Sequence, residues 1–497
     1  MSWLTDHFVV LEVVLPLLAA PACVLIRNPR VTRLFSLGIV AACFAIAVAL
    51  LIQVRGGGVI SYHLGGWPPP LGIEYRVSTV NAYLLVLVTA MALVVMSFDS
   101  RGGPPRVPES RRHLYYAVFL LCICGLLGIT ITGDAFNIFV FLEISSLSSY
   151  ILVSLGGHRR AVMSAFYYLV MGTIGGVFFM LGVGLLYQAT GTLNLRDIAE
   201  RLDPSLEARG TVLALALLVV GISIKLAVFP LHHWLPNAYS FAPPKVSAFL
   251  AATATKVSFY LLAMILFVIF GEPFVFGELQ LHVVLVPLSI LAMFLASGAA
   301  IFQTDLRRLL AYSSVAQVGY MTLGLSTANA TGLAGGLVHL FNHAVMKGGL
   351  FLVVACLLHR VGSVHLDALA GVGRRMPVTC AALVIGGLSL IGVPGTVGFV
   401  SKWYLVSGVL ERGWTAAAVL ILLSSLLAVV YVGRVVETLY FRPPAGDHVR
   451  PDLREAPFAM LAPTWILIAA AVVFGLTTNW TYGVAAEAAE LLLQGGI

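Results

Sequence analysis

The chain has 497 residues, of which 60% are hydrophobic and only 10% charged, with a formal net charge of +7 and a mean hydropathy of +0.98. Soluble domains carry about 25% charged residues, so a soluble protein is excluded and an integral membrane protein is implied. Apolar runs of roughly twenty residues, enough to cross about 30 Å of hydrocarbon, recur along the whole length. They point to helices rather than a barrel, leave nothing over for a soluble domain, and make the lipid bilayer, not nucleic acid, the expected surrounding.

The runs predict an all-α polytopic protein with helices near 7–26, 31–53, 77–98, 113–131, 134–155, 161–188, 210–240, 243–270, 280–302, 306–326, 331–358, 377–410, 414–440 and 457–480. Two of these fourteen, the seventh and the twelfth, are expected to be broken. The opening MSWLTDH has no basic segment and no small-residue cleavage site, so the first helix is expected to be kept rather than removed as a signal. Cys23, Cys43, Cys122, Cys124, Cys356 and Cys380 lack metal-ligand spacing and read as small packing residues.

Lysine and arginine alternate unevenly between successive loops. With the N-terminus outside, inner loops hold nineteen of the 29 cations, including Arg101, Arg106 and Arg450, and outer loops hold six. The positive-inside rule therefore puts both termini outside and the 99–112 and 441–455 loops inside. The four remaining cations fall within helices, and all are lysine: Lys225, Lys256, Lys347 and Lys402. Arginine stays protonated everywhere, whereas a desolvated lysine can exchange protons near neutral pH. The competing reading for each is a side chain that snorkels from a helix end.

The stretch Gly221–Tyr260 concentrates this signal. Lys225 lies in an apolar helix expected to break at Pro230 and Pro236, and Lys256 in the helix that follows. A lysine at mid-membrane costs roughly 3 kcal/mol on insertion scales, and a broken helix beside one is the usual architecture of an ion-transport site. Glu143 is the one acid deep in a predicted helix. Lys225 is its natural partner, the alternative being a protonated Glu143 bonded to Ser145 or Ser146. His232 and His233, after Pro230, read equally as proton-uptake groups or interface residues.

In GGLVHLFNHAVMKGGLFL, His339, His343 and Lys347 stand at i, i+4 and i+8 on one helix face, a ladder that can pass protons with intervening water. Two histidines one turn apart cannot approach a haem from opposite sides, which argues against haem ligation. SLIGVPGTVGFVSKWYL places Gly392, Pro394, Gly395 and Gly398 before Lys402, a second break that mirrors the first. The expected organisation is helices one to three over 1–112, one repeat of helices four to eight over 113–270, an inverted repeat of helices nine to thirteen over 271–440, and helix fourteen over 441–497.

GGWPPPLGIEYRV, FNIFVFLEISSLSSY, IKLAVFPLHHWLPNAYSFAPPKVSAFLAATATKVSFY, DLRRLLAYSSVAQVGY, LVHLFNHAVMKGGLFL and GVPGTVGFVSKWYL occur in that order. The chain resembles the antiporter-like subunits shared by respiratory complex I and Mrp-type sodium/proton antiporters, and within them looks most like the D-type subunits of Mrp antiporters and their relatives in membrane-bound hydrogenases. The resemblance implies fourteen helices in two inverted five-helix repeats. It also implies a proton relay in which Glu143 and Lys225 are the charge pair, Lys256 the central relay, His339, His343 and Lys347 the connecting axis, and Lys402 the terminal group. The implied partners are other membrane subunits of a hetero-oligomeric complex in the cell membrane, with protons, and sodium if it crosses this subunit, as the transported ions. Many relatives have an acid just before the third helix where this chain has Ser78, and the chain is expected to stop after helix fourteen, without the long lateral helix of the largest members.

Two other classes stay open. A redox-driven complex would place its chemistry in partners, because this chain has no dinucleotide glycine motif or iron–sulfur cysteine cluster, and no resident cofactor or metal is expected. A self-sufficient carrier of an organic solute would need a midplane pocket rather than charges strung out as a relay.

Overall fold

The computed structural model describes residues 5–99, 107–202, 208–443 and 453–496. Arg101, Arg106 and Arg450, counted above for the inner loops, lie outside the described residues, as do the first four residues of MSWLTDH. Helices α1 (Phe8–Leu25) and α2 (Pro29–Gly57) open the chain. Asn28 caps α2 by accepting from the Arg30 and Val31 amides, with Pro29 at the first helical position, where a missing N–H costs nothing. The strands β1 (Ile60–His63) and β2 (Glu74–Val77) pair antiparallel from Ile60 opposite Val77 to His63 opposite Glu74. Next come α3 (Thr79–Ser97), α4 (Arg112–Ile131), α5 (Ala135–Ser154), α6 (Arg159–Thr190) and the short α7 (Leu195–Arg201). Asp134 caps α5 and Asn194 caps α7.

The chain continues as α8 (Ala208–Leu226), α9 (Trp234–Phe241), α10 (Pro244–Ile269), α11 (His282–Ile301), α12 (Leu306–Ser326), α13 (Ala330–Val361), α14 (Pro377–Ile391), α15 (Val397–Glu411), α16 (Thr415–Tyr440), α17 (Phe458–Leu476) and α18 (Asn479–Leu493). Asp305 and Asn329 cap α12 and α13, and Gly362 at φ 82° ends α13 in the left-handed conformation that suits glycine. The 32-residue α13 is the axis of the molecule, buried over nearly its whole length against α10, α12, α15 and α17. Small residues let these helices meet: a Cβ on Gly408 of α15 would collide with the backbone of Gly332 on α13. All-α architecture is thus the fold, with one two-stranded hairpin among the described residues.

Helix fills most of the apolar stretches marked in the sequence. By length and apolarity alone, twelve of the described helices can cross a membrane, or thirteen if a bent pair counts as one span. The 21-residue α12 falls outside that set because it is comparatively polar, and its polar groups are tolerated because protein surrounds it almost all round. Three details differ from the sequence reading. Pro236 does not break a helix; it sits in the first turn of α9, where its ring is tolerated, and the interruption is confined to 227–233. The eighth predicted helix is interrupted at Thr253, which has φ −126° and ψ −56° and no proline or glycine to announce it. The chain also does not end its helices near 480: α18 follows, tied back through Glu487 to Arg55 at 3.3 Å and to Thr79 at 2.8 Å.

Loop contacts sort onto two faces. Arg33 pairs with Asp99 at 2.7 Å, and the Asp99 amide donates to Ala459 O, which gathers the ends of α2, α3 and α17. On the hairpin face, the Gly133 amide donates to Glu74 O and the Leu195 amide to Gly133 O, each at 2.8 Å, knitting β2 to the loops before α5 and α7.

Candidate functional site

Lys225 ends α8, where the helix gives way to an irregular segment with Ala227 at φ 62°. The carbonyls released by that break are taken up inside the protein, Ser223 O by the Val228 amide and Ile224 O by Trp234 Nε1 at 2.8 Å. Trp234 is in turn stacked flat on Tyr168 of α6, with ring centroids 4.0 Å apart. The Lys225 ammonium therefore projects from a helix end whose shape is fixed. It donates to Ser146 Oγ at 2.7 Å and lies 3.4 Å from Glu143 Oε1, both on α5. Glu143 fits because α6 has glycine opposite it: a Cβ on Gly176 would fall 2.5 Å from Glu143 Oε1.

A cavity of about 30 Å³ adjoins this pair, walled by Ser145, Ser146 and Ser149 of α5 and by Ala254, Val257 and Ser258 of α10. Lys256 stands between Ala254 and Val257 in sequence and is fully buried. Its ammonium donates to Ala251 O, beside the interruption at Thr253, and to Thr255 Oγ1 at 3.1 Å. Helix α10, which carries Lys256, packs directly on α13, which carries His339, His343 and Lys347.

The three α13 residues are fully buried. The rings of His339 and His343 lie nearly parallel with centroids 6.1 Å apart, as one helical turn requires. Lys347 points to α12, donating to Leu310 O at 2.8 Å and to Ser313 Oγ. His339 Nδ1 meets Ser401 Oγ at 2.8 Å, while His339 Nε2 and both nitrogens of His343 have no protein hydrogen-bond partner among the described residues. Buried polar atoms in that state are a departure from the rule that such groups are paired.

Lys402 stands at the second interruption. Helix α14 ends at Gly392, φ 92°, and α15 begins at Val397. The ammonium caps the open end of α14, donating to Leu390 O at 3.1 Å, Ile391 O at 2.8 Å and Ser425 Oγ at 2.9 Å. A cation is favoured at a helix C-terminus, where unpaired carbonyls carry negative partial charge. The close approach depends on Gly398, whose Cβ would collide with Ser389 O. Tyr320 of α12 bridges the last two members, its ring centroid 5.6 Å from that of His339 and 5.0 Å from Lys402 Nζ.

Glu143 and Lys225 are thus in direct contact, His339 and Lys402 both approach the Tyr320 ring, and Lys256 and Lys347 have bonds to backbone and hydroxyls instead of to one another. Ser146 serves Lys225, and Ser145 Oγ is turned to Leu142 O. His232 is buried against Phe229, and His233 is exposed and bonded to Pro230 O at 3.1 Å. Sequence reasoning named Ser146 only as an alternative partner of Glu143, not of Lys225, and missed Ser313, Ser401, Ser425 and Tyr320. The signal was present as serines inside apolar helices, each of which needs a partner. At Ser78, the departure from the family pattern noted above, the amide and hydroxyl both donate to Asn81 Oδ1.

Fold and site together define a multi-pass helical membrane protein in which interrupted helices hold buried lysines. A family model described as NADH:quinone oxidoreductase/Mrp antiporter, TM, matches residues 132–428. The chain is 43% identical over 488 residues to the N-type subunit of NADH-quinone oxidoreductase from Desulforudis audaxviator, covering 95% of this chain and 96% of the relative. It is 30% identical over 492 residues to the D-type subunit of the Na(+)/H(+) antiporter of Bacillus subtilis, covering 98% of each. A chain of the solved Mrp complex from Dietzia sp. superposes with a TM-score of 0.90 at 25% identity, over 99% of this chain and 98% of that one. This chain belongs to the NADH:quinone oxidoreductase/Mrp antiporter family, as an antiporter-like membrane subunit.

Proposed function

We propose that the chain translocates protons as one subunit of a multisubunit cation/proton antiporter, of the Mrp D type. The observation that carries this is the matched placement of Lys225 and Lys402: each is held at an interrupted helix, with Lys256, His343 and His339 buried between them. In this reading Glu143 stabilises protonated Lys225; when the pair separates, the proton passes toward Lys256, the small serine-walled cavity having room for one bridging water. His339 and His343, donor and acceptor in turn, carry it toward Lys402, and Lys347 stands at the edge of the path. The unpartnered imidazole nitrogens favour this, since a water wire would satisfy them.

Around this path we place fourteen crossings in two inverted repeats, 113–270 and 271–440, in the cell membrane with both termini outside. Other membrane subunits are the partners; the superposed Dietzia chain is itself part of an Mrp complex. A second reading, a proton-pumping subunit of a redox-driven complex, is favoured by the 43% identity to an N-type oxidoreductase subunit. Purification of the intact complex separates them: small membrane subunits and cation-driven pH changes in vesicles support the antiporter, whereas co-purifying redox subunits and quinone- or hydrogenase-driven pumping support the other. Lys256→Ala tests the relay in either case, and full transport by an assembled variant would remove it.

A further inference from the structure

The hairpin face holds a cavity of about 640 Å³ apart from the lysines and histidines described above. Its mouth is exposed and charged: Arg196 and Glu200 of α7 pair at 2.8 Å there, with side chains 67% and 60% exposed. Among the described residues, Glu74 and Arg76 of β2 and Glu272, just beyond α10, add further charges to its lining. Among the described residues of the lining, three acids face two arginines, which suits a water-filled passage better than a trap for a metal ion. The floor is formed by Asn81 and Tyr260, only 2% and 4% exposed.

That floor is a closed set of hydrogen bonds. Asn81 Oδ1 accepts from the Ser78 amide at 2.8 Å and the Ser78 hydroxyl at 2.5 Å, which fixes the amide group. Asn81 Nδ2 then donates to Thr130 O at 2.6 Å and to the Tyr260 hydroxyl at 2.7 Å, and Tyr260 donates to the same Thr130 O at 3.1 Å. Tyr260 follows Lys256 by four residues in the regular stretch Ala254–Ala263, so the two lie on one helix face about 6 Å apart in rise. Beyond Tyr260 the helix widens into π turns over Met264–Ile269, and Met264, Phe267 and Val268 of that segment line the cavity. A charged mouth, a roomy interior and a buried hydroxyl one turn from a buried lysine are thus arranged in sequence.

We infer that this cavity is an aqueous vestibule for protons, and that the Tyr260 hydroxyl, latched by Asn81 to Thr130, is the group through which the hairpin-face solution reaches Lys256. The inference rests on the relay reading of Lys256 and adds to it a side access in the first half of the molecule. In the inward step, neutral Lys256 swings away from Ala251 O and Thr255 Oγ1, and Tyr260 turns its O–H from Thr130 O to the lysine nitrogen. The N–H bond forms as that O–H breaks, and a vestibule hydronium re-protonates the phenolic oxygen and leaves as water. Tyr260 ends unchanged, and the reverse order releases a proton.

The test uses the intact complex in vesicles with the hairpin face accessible. Ala199 lines the vestibule on α7, and the six native cysteines are buried, so Ala199→Cys offers one reactive thiol. A bulky membrane-impermeant thiol reagent should modify it, read by mass, and proton transport should fall by on the order of tenfold relative to the same variant before treatment. Tyr260→Phe keeps the ring and loses the hydroxyl, and should slow transport comparably with assembly unchanged. Failure of the reagent to reach the thiol introduced at position 199, or undiminished transport after full modification or in Tyr260→Phe, overturns the vestibule. Lys256→Ala run in parallel separates the two ideas: if it is inactive while the blocked vestibule transports normally, the relay stands and the vestibule falls; if it transports fully, the relay itself falls.

Discussion

Lys225 Nζ lies 3.4 Å from Glu143 Oε1, longer than the 2.7–2.9 Å usual for an ammonium–carboxylate hydrogen bond, because its short bond, 2.7 Å, goes to Ser146. The pair is in contact without being locked. A group that must gain and lose its counter-ion during a cycle is served by a neutral acceptor that holds it when the carboxylate withdraws.

Ser146→Ala should therefore slow proton transport. Losing one hydrogen bond worth about 1 kcal/mol in the open state corresponds to roughly a fivefold loss of rate. Glu143→Gln should be more severe, since it removes the charge itself. Initial rates of pH change in vesicles, normalised to assembled complex, measure both; an unaffected Ser146→Ala would mean that the serine only fills space.

Gly176→Ala places a methyl carbon 2.5 Å from Glu143 Oε1, too close for the carboxylate to stay where it is. The carboxylate can swing aside, so the protein should assemble, yet the pair should be displaced and transport reduced to a level between those of the two variants above. Wild-type rates in an assembled Gly176→Ala complex would show that the position of Glu143 is not critical.

At the second interruption, Gly398→Ala should act on folding instead of transport alone. Its Cβ would collide with the Ser389 carbonyl, a backbone group that cannot move independently, and the juxtaposition of α14 and α15 that positions Lys402 would be lost. Membrane extracts should contain markedly less assembled variant. Normal assembly would mean that the break tolerates rearrangement.

Much of the site was legible because its members violate the composition around them. Lys225, Lys256, Lys347 and Lys402 are charges in apolar runs, and Pro230 and the glycines before Lys402 mark the two breaks. What could not be read was pairing and geometry. The interruption at Thr253 has no proline or glycine at its centre, Pro236 looks like a breaker but falls in a first turn, and Tyr320 becomes a bridge only when α12 and α15 are packed against α13. Helix α18 was missed because its alanines and glutamates do not form a membrane-length apolar run.

Outside the membrane-spanning helices, Glu74 provides a pH prediction. Burial alone would raise its pKa, but hydrogen bonds from Ser61 and Asn194 and the Arg76 guanidinium more than offset this and hold it below the ordinary value. A depressed carboxylate contributes stability above its unfolded pKa of about 4.3, and that contribution is lost as pH falls through the folded value. Glu74→Gln should lower the Tm at pH 7 by a few degrees, and the gap from wild type should close below about pH 4. A gap that is constant with pH would contradict the ionised role.

Everything in the relay depends on Lys225 releasing a proton, and Lys225→Arg isolates that step. Arginine preserves the charge and its attraction to Glu143 but does not deprotonate at any accessible pH. In vesicles containing the assembled complex, proton transport by Lys225→Arg should fall to the level of Lys225→Ala. Transport by Lys225→Arg at or near the wild-type rate would show that a fixed positive charge suffices, and the relay would be contradicted.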